Sequence, residues 1–286
     1  MSDAPAFSVI IPTYNCAAYI AGAVGSVLGQ TMHPSLYEVI VVDDGSTDGT
    51  QRAVEAFEGR ITYIRKENHG AASARNVGIA HASGRIAAFL DADDYWLPGR
   101  LESIQRLFDI RQDCFVTTDY YVERCGERSE KPYYLSRGLL GLFELRAALQ
   151  LEFAVEDNFI NGMTVVPLRM IAQVGGFDET LKYGEDWELW LRLLDAGFPV
   201  RIVHHASAVY RFQRPGSTTT RHDYEMAQNR VTILERYPAF ASPRRLQNAT
   251  ASMHRIGLKR AIRAASLRGA LRHGMALAAG GNVRAL

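Results

Sequence analysis

The chain of 286 residues contains only three cysteines and no Cys-x-x-Cys pair. This number and spacing argue against a disulfide framework and a cysteine-rich zinc site, and they favour a reducing compartment. The sequence also lacks any Gly-x-Gly triplet and any Gly-Lys pair. Because the usual dinucleotide and triphosphate loops are built from these elements, a Rossmann dehydrogenase and a P-loop NTPase are poor interpretations.

Charged residues are absent from residues 4–37, and the first basic residue is Arg52. A secretory signal peptide begins with positive charge, and a membrane span needs about 20 consecutive apolar residues, which Pro12, Asn15 and Gln30 interrupt. The sequence therefore predicts a cytoplasmic protein without a membrane span.

Acidic residues are absent from the C-terminal end. Residues 241–286 contain nine Lys or Arg and no Asp or Glu, whereas residues 1–240 contain 23 Lys or Arg against 31 Asp or Glu. We predict a basic helical extension over residues 223–286. It either docks on an anionic membrane surface or polyanionic partner, or packs on the acidic part of the chain. No aromatic residue follows Phe240 to stack on bases, so nucleic acid is not an expected partner.

Strand and helix patterns alternate over the first 110 residues. Apolar runs typical of strands lie at residues 7–11, 37–42, 61–64 and 85–90. Helical periodicity or capping residues occur between them. This alternation predicts an α/β fold with a mostly parallel sheet flanked by helices.

The pattern becomes less regular after Leu90. Helices are predicted at residues 98–111, 139–151 and 185–196. Short strands are predicted at residues 114–122, 164–166, 200–203 and 208–212.

Polar residues follow each of the first four predicted strands. In an open α/β sheet, ligands bind outside the carboxyl ends of the strands, so these segments are expected to line one site. The segments are residues 12–15, 43–46, 68–76 and 91–94.

Three aspartates, Asp91, Asp93 and Asp94, follow the fourth strand. Adjacent carboxylates at the end of a buried strand repel each other unless a cation or water solvates them. Mg²⁺ suits this arrangement, because it binds one or two carboxylates together with substrate phosphates. The alternative is a solvated turn in which Asp94 caps the next helix.

Asp43 and Asp44 also have two interpretations. Asp-Asp-Gly-Ser is favourable turn chemistry before a helix. Alternatively, a carboxylate at a strand end accepts the imino N–H of a base, and Tyr14 supplies an aromatic face for stacking. Phosphate charge would then be met by a metal and by Arg75, together with Arg211 or Arg214.

Together these segments resemble the inverting family 2 glycosyltransferases, which have the Rossmann-like GT-A fold. The resemblance covers about residues 7–220, and its five pieces occur in the family's order. They are Ser8 to Asn15, Val41 to Asp48, Ala74 to Ile79, Asp91 to Asp94 and Gly184 to Trp190.

The resemblance implies one domain over residues 1–222, with a nucleotide-sugar-binding half at 7–110 and an acceptor and catalytic half at 111–222. It implies that Asp186 is the catalytic base and that Asp93, with Asp91, holds Mg²⁺ or Mn²⁺. The residues implied to bind the donor nucleotide are Pro12, Thr13, Tyr14, Asn15, Asp43, Arg75 and Asp91. Asp186 opens a predicted helix, where an acidic residue is also favoured by the helix dipole alone.

The sequence departs from the family at Tyr210-Arg-Phe-Gln213, where many members carry histidine at the last position. Gln213 can hydrogen-bond phosphate but is a poor metal ligand, so Arg211, Gln213 and Arg214 are candidate diphosphate contacts. We leave three histidines unassigned: His204, His205 and His222.

Acceptor contacts are expected near the base. Glu185, Trp187 and Trp190 are candidates, since an indole can provide an apolar face for a sugar ring or can fill the core. Residues 130–165 contain further candidates, Asn158 and Asn161, and Tyr183 lies near the base in sequence.

The expected activity is metal-dependent transfer of one sugar, with inversion, from a nucleotide-diphosphate sugar such as a UDP-sugar to a saccharide or lipid-linked acceptor. The polymerase-type Gln-x-x-Arg-Trp signature is absent, which favours single addition. Two alternatives remain. A nucleotidyltransferase usually has a basic Gly-rich loop, which this sequence lacks, and a sugar-nucleotide-binding protein would not need the three aspartates Asp91, Asp93 and Asp186.

Overall fold

The computed structural model describes residues 4–212, 223–237, 243–263 and 267–278. These residues form two compact units. The first consists of residues 4–154 and 158–212, and the second consists of residues 155–157 with the described residues from 223 onward.

The first half of the first unit is a parallel α/β arrangement. Its strands are β1 (Phe7–Thr13), β2 (Tyr37–Asp43), β3 (Thr62–Arg65) and β4 (Ile86–Phe89), and its helices are α1 (Ile20–Leu28), α2 (Thr50–Val54) and α3 (Ala71–His81). The strands pair in parallel in the order β3-β2-β1-β4. The four predicted strands are therefore present, and their carboxyl ends lie at one edge.

The second half extends the same sheet. Its elements are β5 (Tyr95–Trp96), α4 (Arg100–Ile110), β6 (Phe115–Arg124), β7 (Glu127–Arg128), α5 (Tyr133–Arg137), α6 (Ala147–Glu156), β8 (Val165–Pro167), α7 (Leu168–Val174), α8 (Glu185–Asp195) and β9 (Val200–Arg211). The order continues from β4 as β8-β6-β9-β5, with β7 on β6. Strand β8 is antiparallel to β4 and β6, so the sheet is mixed beyond β4 rather than mostly parallel throughout.

Two predicted elements differ in extent for a tertiary reason. The predicted helix at 139–151 begins only at Ala147, after a 3₁₀ turn at Leu140–Glu144. Arg201 donates to the carbonyls of Phe143 and Leu145, which removes acceptors that a continuous helix would use. The two strands predicted at 200–203 and 208–212 are one strand, β9, whose pairing with β6 is interrupted between them.

Helix α3 packs closely on the central strand β1. A Cβ atom added to Gly78 would lie 2.4 Å from Cγ2 of Ile10, so only glycine allows this distance between helix and sheet. The close contact fixes the height of α3 above the sheet, and α3 carries Arg75.

The second unit contains three helices, α9 (Asp223–Arg236), α10 (Pro243–Arg263) and α11 (Leu267–Ala278). Helix α10 packs on both of the others. The rings of His254 and His273 meet between α10 and α11 with 3.0 Å between their Nδ1 atoms, and Gly257 leaves room for His273. No helix in the described ranges is both long and apolar enough to cross a membrane.

Candidate active site

The loops after β1 and β2 are joined by hydrogen bonds. Asn15 adopts a left-handed backbone conformation with φ 49°, and its Oδ1 accepts the N–H of Thr47 at 2.8 Å. The N–H of Asn15 donates to Oγ of Ser46 at 2.9 Å. Asn15 therefore holds the two predicted nucleotide-binding loops together.

Tyr14 and Thr13 differ in exposure at the end of β1. Tyr14 is 50% exposed, so half of its side-chain surface is accessible. Thr13 is buried, and its Oγ1 has no hydrogen-bond partner within the described residues. Pro12 is also buried.

The two aspartates after β2 bind the protein itself. Asp43 is fully buried and accepts the Ser46 N–H at 2.7 Å and the Tyr63 hydroxyl at 2.6 Å. Asp44 accepts the Lys66 ammonium and the N–H of Gly70, which precedes α3. The turn interpretation fits Asp43, whose Oδ1 accepts an N–H three residues further along the same loop. Asp44 instead connects this loop to the segment before α3, and recognition of a base by Asp43 stays a prediction.

Arg75 joins the two halves of the first unit. Its Nη1 donates to Oε1 of Glu185 at 2.6 Å, and its Nη2 donates to Oδ1 of Asp91 at 2.7 Å. The guanidinium also lies 5.5 Å from the ring centre of Phe177. Burial would lower the pKa of Arg75, but the carboxylates of Asp91, Glu185 and Asp186 outweigh it and raise this pKa. Arg75 is a permanent cation surrounded by acids.

Asp186 lies in the first turn of α8, which starts after Gly184 in a left-handed conformation. Its Oδ1 accepts the N–H of Trp187 at 2.7 Å. Burial and the charge of Glu185 raise the pKa of Asp186 to about 6, although Arg75 lowers it. A carboxylate with this pKa is unprotonated at neutral pH and is a stronger base than an ordinary aspartate.

The end of β9 contacts the aspartates after β4. The Arg211 N–H donates to Oδ1 of Asp94 at 2.8 Å, and its Nη1 donates to the carbonyl of Asp93 at 2.9 Å. Burial, followed by the charges of Asp93 and Asp91, raises the pKa of Asp94 well above its usual range. Asp94 is buried, so the interpretation that it caps the next helix from a solvated turn is wrong.

Sequence comparison identifies the family. The sequence model described as Glycosyl transferase family 2 matches residues 8–163. The chain belongs to glycosyltransferase family 2. The chain is 34% identical over 214 residues to TuaG of Bacillus subtilis strain 168, described as a putative teichuronic acid biosynthesis glycosyltransferase, covering 72% of this chain and 79% of TuaG. It is 31% identical over 242 residues to an uncharacterized glycosyltransferase of Rickettsia typhi, covering 83% of this chain and 71% of that protein.

The fold of this glycosyltransferase is also similar to a solved structure. It superimposes on residues 1–349 of Staphylococcus aureus TarS in complex with UDP-GlcNAc with a TM-score of 0.63 and 18% identity, covering 96% of this chain and 92% of TarS 1–349. The expected α/β GT-A fold and transferase class are confirmed. TuaG and TarS differ from this chain in most of their residues, so donor and acceptor require a separate argument.

The glycosyltransferase has few protein ligands to offer a metal. Within the residues that the structure describes, no group of three or more His, Cys, Asp or Glu side chains is arranged to hold an ion. One oxygen of Asp91 is already bound to Arg75. The carboxylates of residues 91–94 still fit Mg²⁺, which takes one or two carboxylates and completes its shell with phosphate and water. The observation that favours a cation here is the placement of the half-buried carboxylates of Asp91 and Asp93 beside buried Asp94, since adjacent carboxylates removed from water need a compensating charge.

The predicted acceptor contacts on α8 are not exposed. Trp190 is fully buried and stacks on Phe115 with 5.8 Å between ring centres. The Trp187 indole donates to the carbonyl of Ala154 at 2.7 Å and is buried. Both indoles fill the core of the glycosyltransferase, because α8 is buried over most of its length. Glu185 is likewise engaged by Arg75.

The remaining candidates lie in several places. Asn158 is exposed. Asn161 is half-buried and precedes Gly162, a residue that sequence reasoning missed. His204 and His205 lie on the exposed interruption of β9. Three candidates are outside the described residues: Gln213, Arg214 and His222.

Proposed function

We propose that this glycosyltransferase moves one sugar, with inversion, from a UDP-sugar to an acceptor hydroxyl and requires Mg²⁺ or Mn²⁺. The observation that supports this proposal is the cluster of Asp91, Arg75 and Glu185 with Asp186. It joins the donor side of the sheet to a carboxylate whose raised pKa suits a general base.

The donor side suits a nucleoside diphosphate. Tyr14 provides an exposed ring for the base, and Thr13 has an unpaired buried hydroxyl beside it. Asp43 fixes the loop after β2, since its Oδ1 accepts the N–H of Ser46 and the Ser46 hydroxyl oxygen in turn accepts the N–H of Asn15. Uridine is chosen because the structurally similar TarS binds UDP-GlcNAc. Pro12 and Asn15 shape the loop rather than supply charge.

The reaction proceeds by one displacement. The acceptor oxygen attacks the anomeric carbon, the bond from this carbon to the diphosphate oxygen breaks, and the hydroxyl proton passes to Asp186. Arg75 holds Asp91 and Glu185 in place, and Arg211 lies next to Asp93, where it can meet diphosphate charge. A divalent ion on Asp93 and Asp91 would neutralise charge on the leaving diphosphate. Gln213 and Arg214 follow Arg211 directly in sequence and are proposed to assist it.

The acceptor is proposed to be a saccharide or lipid-linked saccharide of a bacterial surface polymer or glycolipid. This proposal rests on two relatives. TuaG is described as a putative teichuronic acid biosynthesis glycosyltransferase. GgaB of Bacillus subtilis strain 168, a minor teichoic acid biosynthesis protein, is 29% identical over 220 residues that cover 74% of this chain and 23% of GgaB.

A donor panel tests the proposed reaction. Incubation with nucleotide sugars, Mg²⁺ and saccharide acceptors should release UDP only in the presence of an acceptor, and the product should have the opposite anomeric configuration by NMR. Pyrophosphate release from UTP and a sugar phosphate would instead identify a nucleotidyltransferase. Donor binding without UDP release from any donor would identify a binding protein.

We also propose that the second unit docks on an anionic membrane surface. On α11, Leu271 and Met275 are 55% and 58% exposed, one turn apart. Basic side chains exposed on α10 and α11 are Arg244, Arg255, Lys259 and Arg272. No acidic residue follows residue 240. The exposed apolar side chains can insert between the lipids at the surface of a negatively charged leaflet, and the basic side chains beside them can bind the headgroups.

Vesicle sedimentation tests this docking. Since each basic residue near an anionic leaflet contributes about 1 kcal/mol, the full chain should sediment with phosphatidylserine-containing vesicles at low salt and dissociate at high salt. Replacing Leu271 and Met275 by serine should weaken binding. Ile110→Ser, which changes an 81% exposed side chain in the first unit, should not. Equal binding of both variants would contradict the proposal.

A further inference from the structure

The space in front of Gly162 is bordered by two carboxylates. A Cβ atom built on Gly162 would lie 3.5 Å from Oδ2 of Asp186 and 3.6 Å from Oδ2 of Asp91. Apart from residues adjoining Gly162, no other heavy atom of the described chain would lie within 4 Å of it. Among the described residues that do not adjoin Gly162, only these two carboxylate oxygens therefore border the position of the added atom.

The distance to Asp186 is the one expected for a reacting alcohol. When a hydroxyl donates to a carboxylate at about 2.7 Å, the carbon that carries the hydroxyl lies about 3.5 Å from the accepting oxygen. A side chain at residue 162 would place its first carbon at this same distance. An acceptor carbon and a Cβ atom at residue 162 would then compete for the space beside Asp186.

The backbone on both sides of Gly162 is firmly held. The N–H and Nδ2 of Asn161 donate to the Tyr134 hydroxyl at 3.1 Å, and the Thr164 hydroxyl donates to the Asn161 carbonyl at 2.7 Å. The buried Arg100 side chain donates to the carbonyl of Met163. The loop is thus unable to move away easily from an added atom.

Further hydrogen bonds connect this loop and α5 to strand β6 of the sheet. Asp119 on β6 accepts the N–H groups of Tyr134 and Leu135 at the start of α5, at 2.8 and 3.0 Å. Nδ2 of Asn161 also donates to Oγ1 of Thr117 at 2.9 Å. Gly162 is therefore presented by a rigid support, as a site that fixes a substrate requires.

We propose that the gap beside Gly162 is the binding site of the acceptor hydroxyl and its carbon, and that Gly162 is a specificity-determining residue; this inference rests on the proposed transfer reaction. The ligand class is an alcohol, because the oxygen of Asp186 that borders this position can accept the proton of a hydroxyl group.

The variant Gly162→Ala tests this assignment. Gly162 does not have a positive φ, and the added methyl would meet both oxygens at ordinary contact distance, so the variant is expected to fold. We expect kcat/KM for the acceptor to fall at least tenfold, mainly through KM, while the thermal shift with UDP and Mg²⁺ is retained.

Gly141→Ala is the matched control. A Cβ atom on Gly141 would meet nothing within 4 Å, so acceptor kinetics should not change. Acceptor kinetics within twofold of wild type in Gly162→Ala would overturn the inference while leaving the proposed function intact. Loss of the UDP shift in Gly162→Ala would also overturn it, because the inference requires an unchanged donor site. Absence of transfer by the wild type with every donor would instead overturn the proposed function.

Discussion

Asp186→Asn is expected to lower the rate of sugar transfer by about 10²–10⁴-fold, the usual contribution of a general base. The amide has nearly the shape of the carboxylate and keeps the contact of Oδ1 with the Trp187 N–H, but it cannot take a proton from the acceptor. Donor binding should persist. The measurement is initial rate with saturating donor and acceptor, with UDP affinity determined on the same samples.

Asp195→Asn provides a control from the same helix. Asp195 ends α8 and is exposed, so this variant changes the same chemical group away from the cluster and should transfer sugar at the normal rate. Transfer by Asp186→Asn within threefold of wild type would show that another residue is the base.

The pH dependence gives an independent check on Asp186. Burial and the charge of Glu185 raise the pKa of Asp186 to about 6. The base is protonated below this pH, so kcat/KM should fall about tenfold per pH unit as the pH drops below the pKa. The residual activity of Asp186→Asn should lack this dependence.

UDP should stabilise the folded protein only when Mg²⁺ or Mn²⁺ is present. Without a cation, the negatively charged diphosphate is repelled by the carboxylates of Asp91 and Asp93. A ligand at 100 times its Kd adds about 2.7 kcal/mol to the free energy of unfolding. Asp93→Ala should remove most of this increment, as measured by thermal unfolding with UDP and Mg²⁺.

A control variant and a chelation experiment test the metal dependence of UDP binding. Asp113→Ala, which removes an exposed aspartate outside the cluster, should keep the full UDP shift. Chelation with EDTA should abolish the shift in the wild type. Equal stabilisation by UDP with and without EDTA would contradict the assignment of a metal to the aspartates after β4.

Local sequence patterns determined the first half of the fold. Apolar runs predicted β1 to β4, and their alternation with helices predicted parallel pairing, because these signals depend on residues close together in the chain. The same reasoning located the polar segments after the strands. It could not predict two strands of only two residues each, β5 and β7. Strand β5 pairs with β9, which is distant in sequence, and β7 pairs with β6 over a segment too short to show an alternating pattern.

Only the tertiary structure decided which of these polar residues meet. Arg75 and Glu185 are 110 residues apart in sequence, and no repeating pattern in the sequence predicts that they are in contact. Gly162 belongs to no recognisable sequence motif. Its lack of a side chain is important only because Asp91 and Asp186 lie opposite it in the folded structure.

Trp190 was a candidate for contact with a sugar, but the structure shows that it is buried and stacks on Phe115. Which face of a helix turns inward depends on the elements that pack against it. Sequence therefore determined the elements and their chemistry, whereas long-range packing decided the site, because contacts between distant residues arise only when the sheet is assembled.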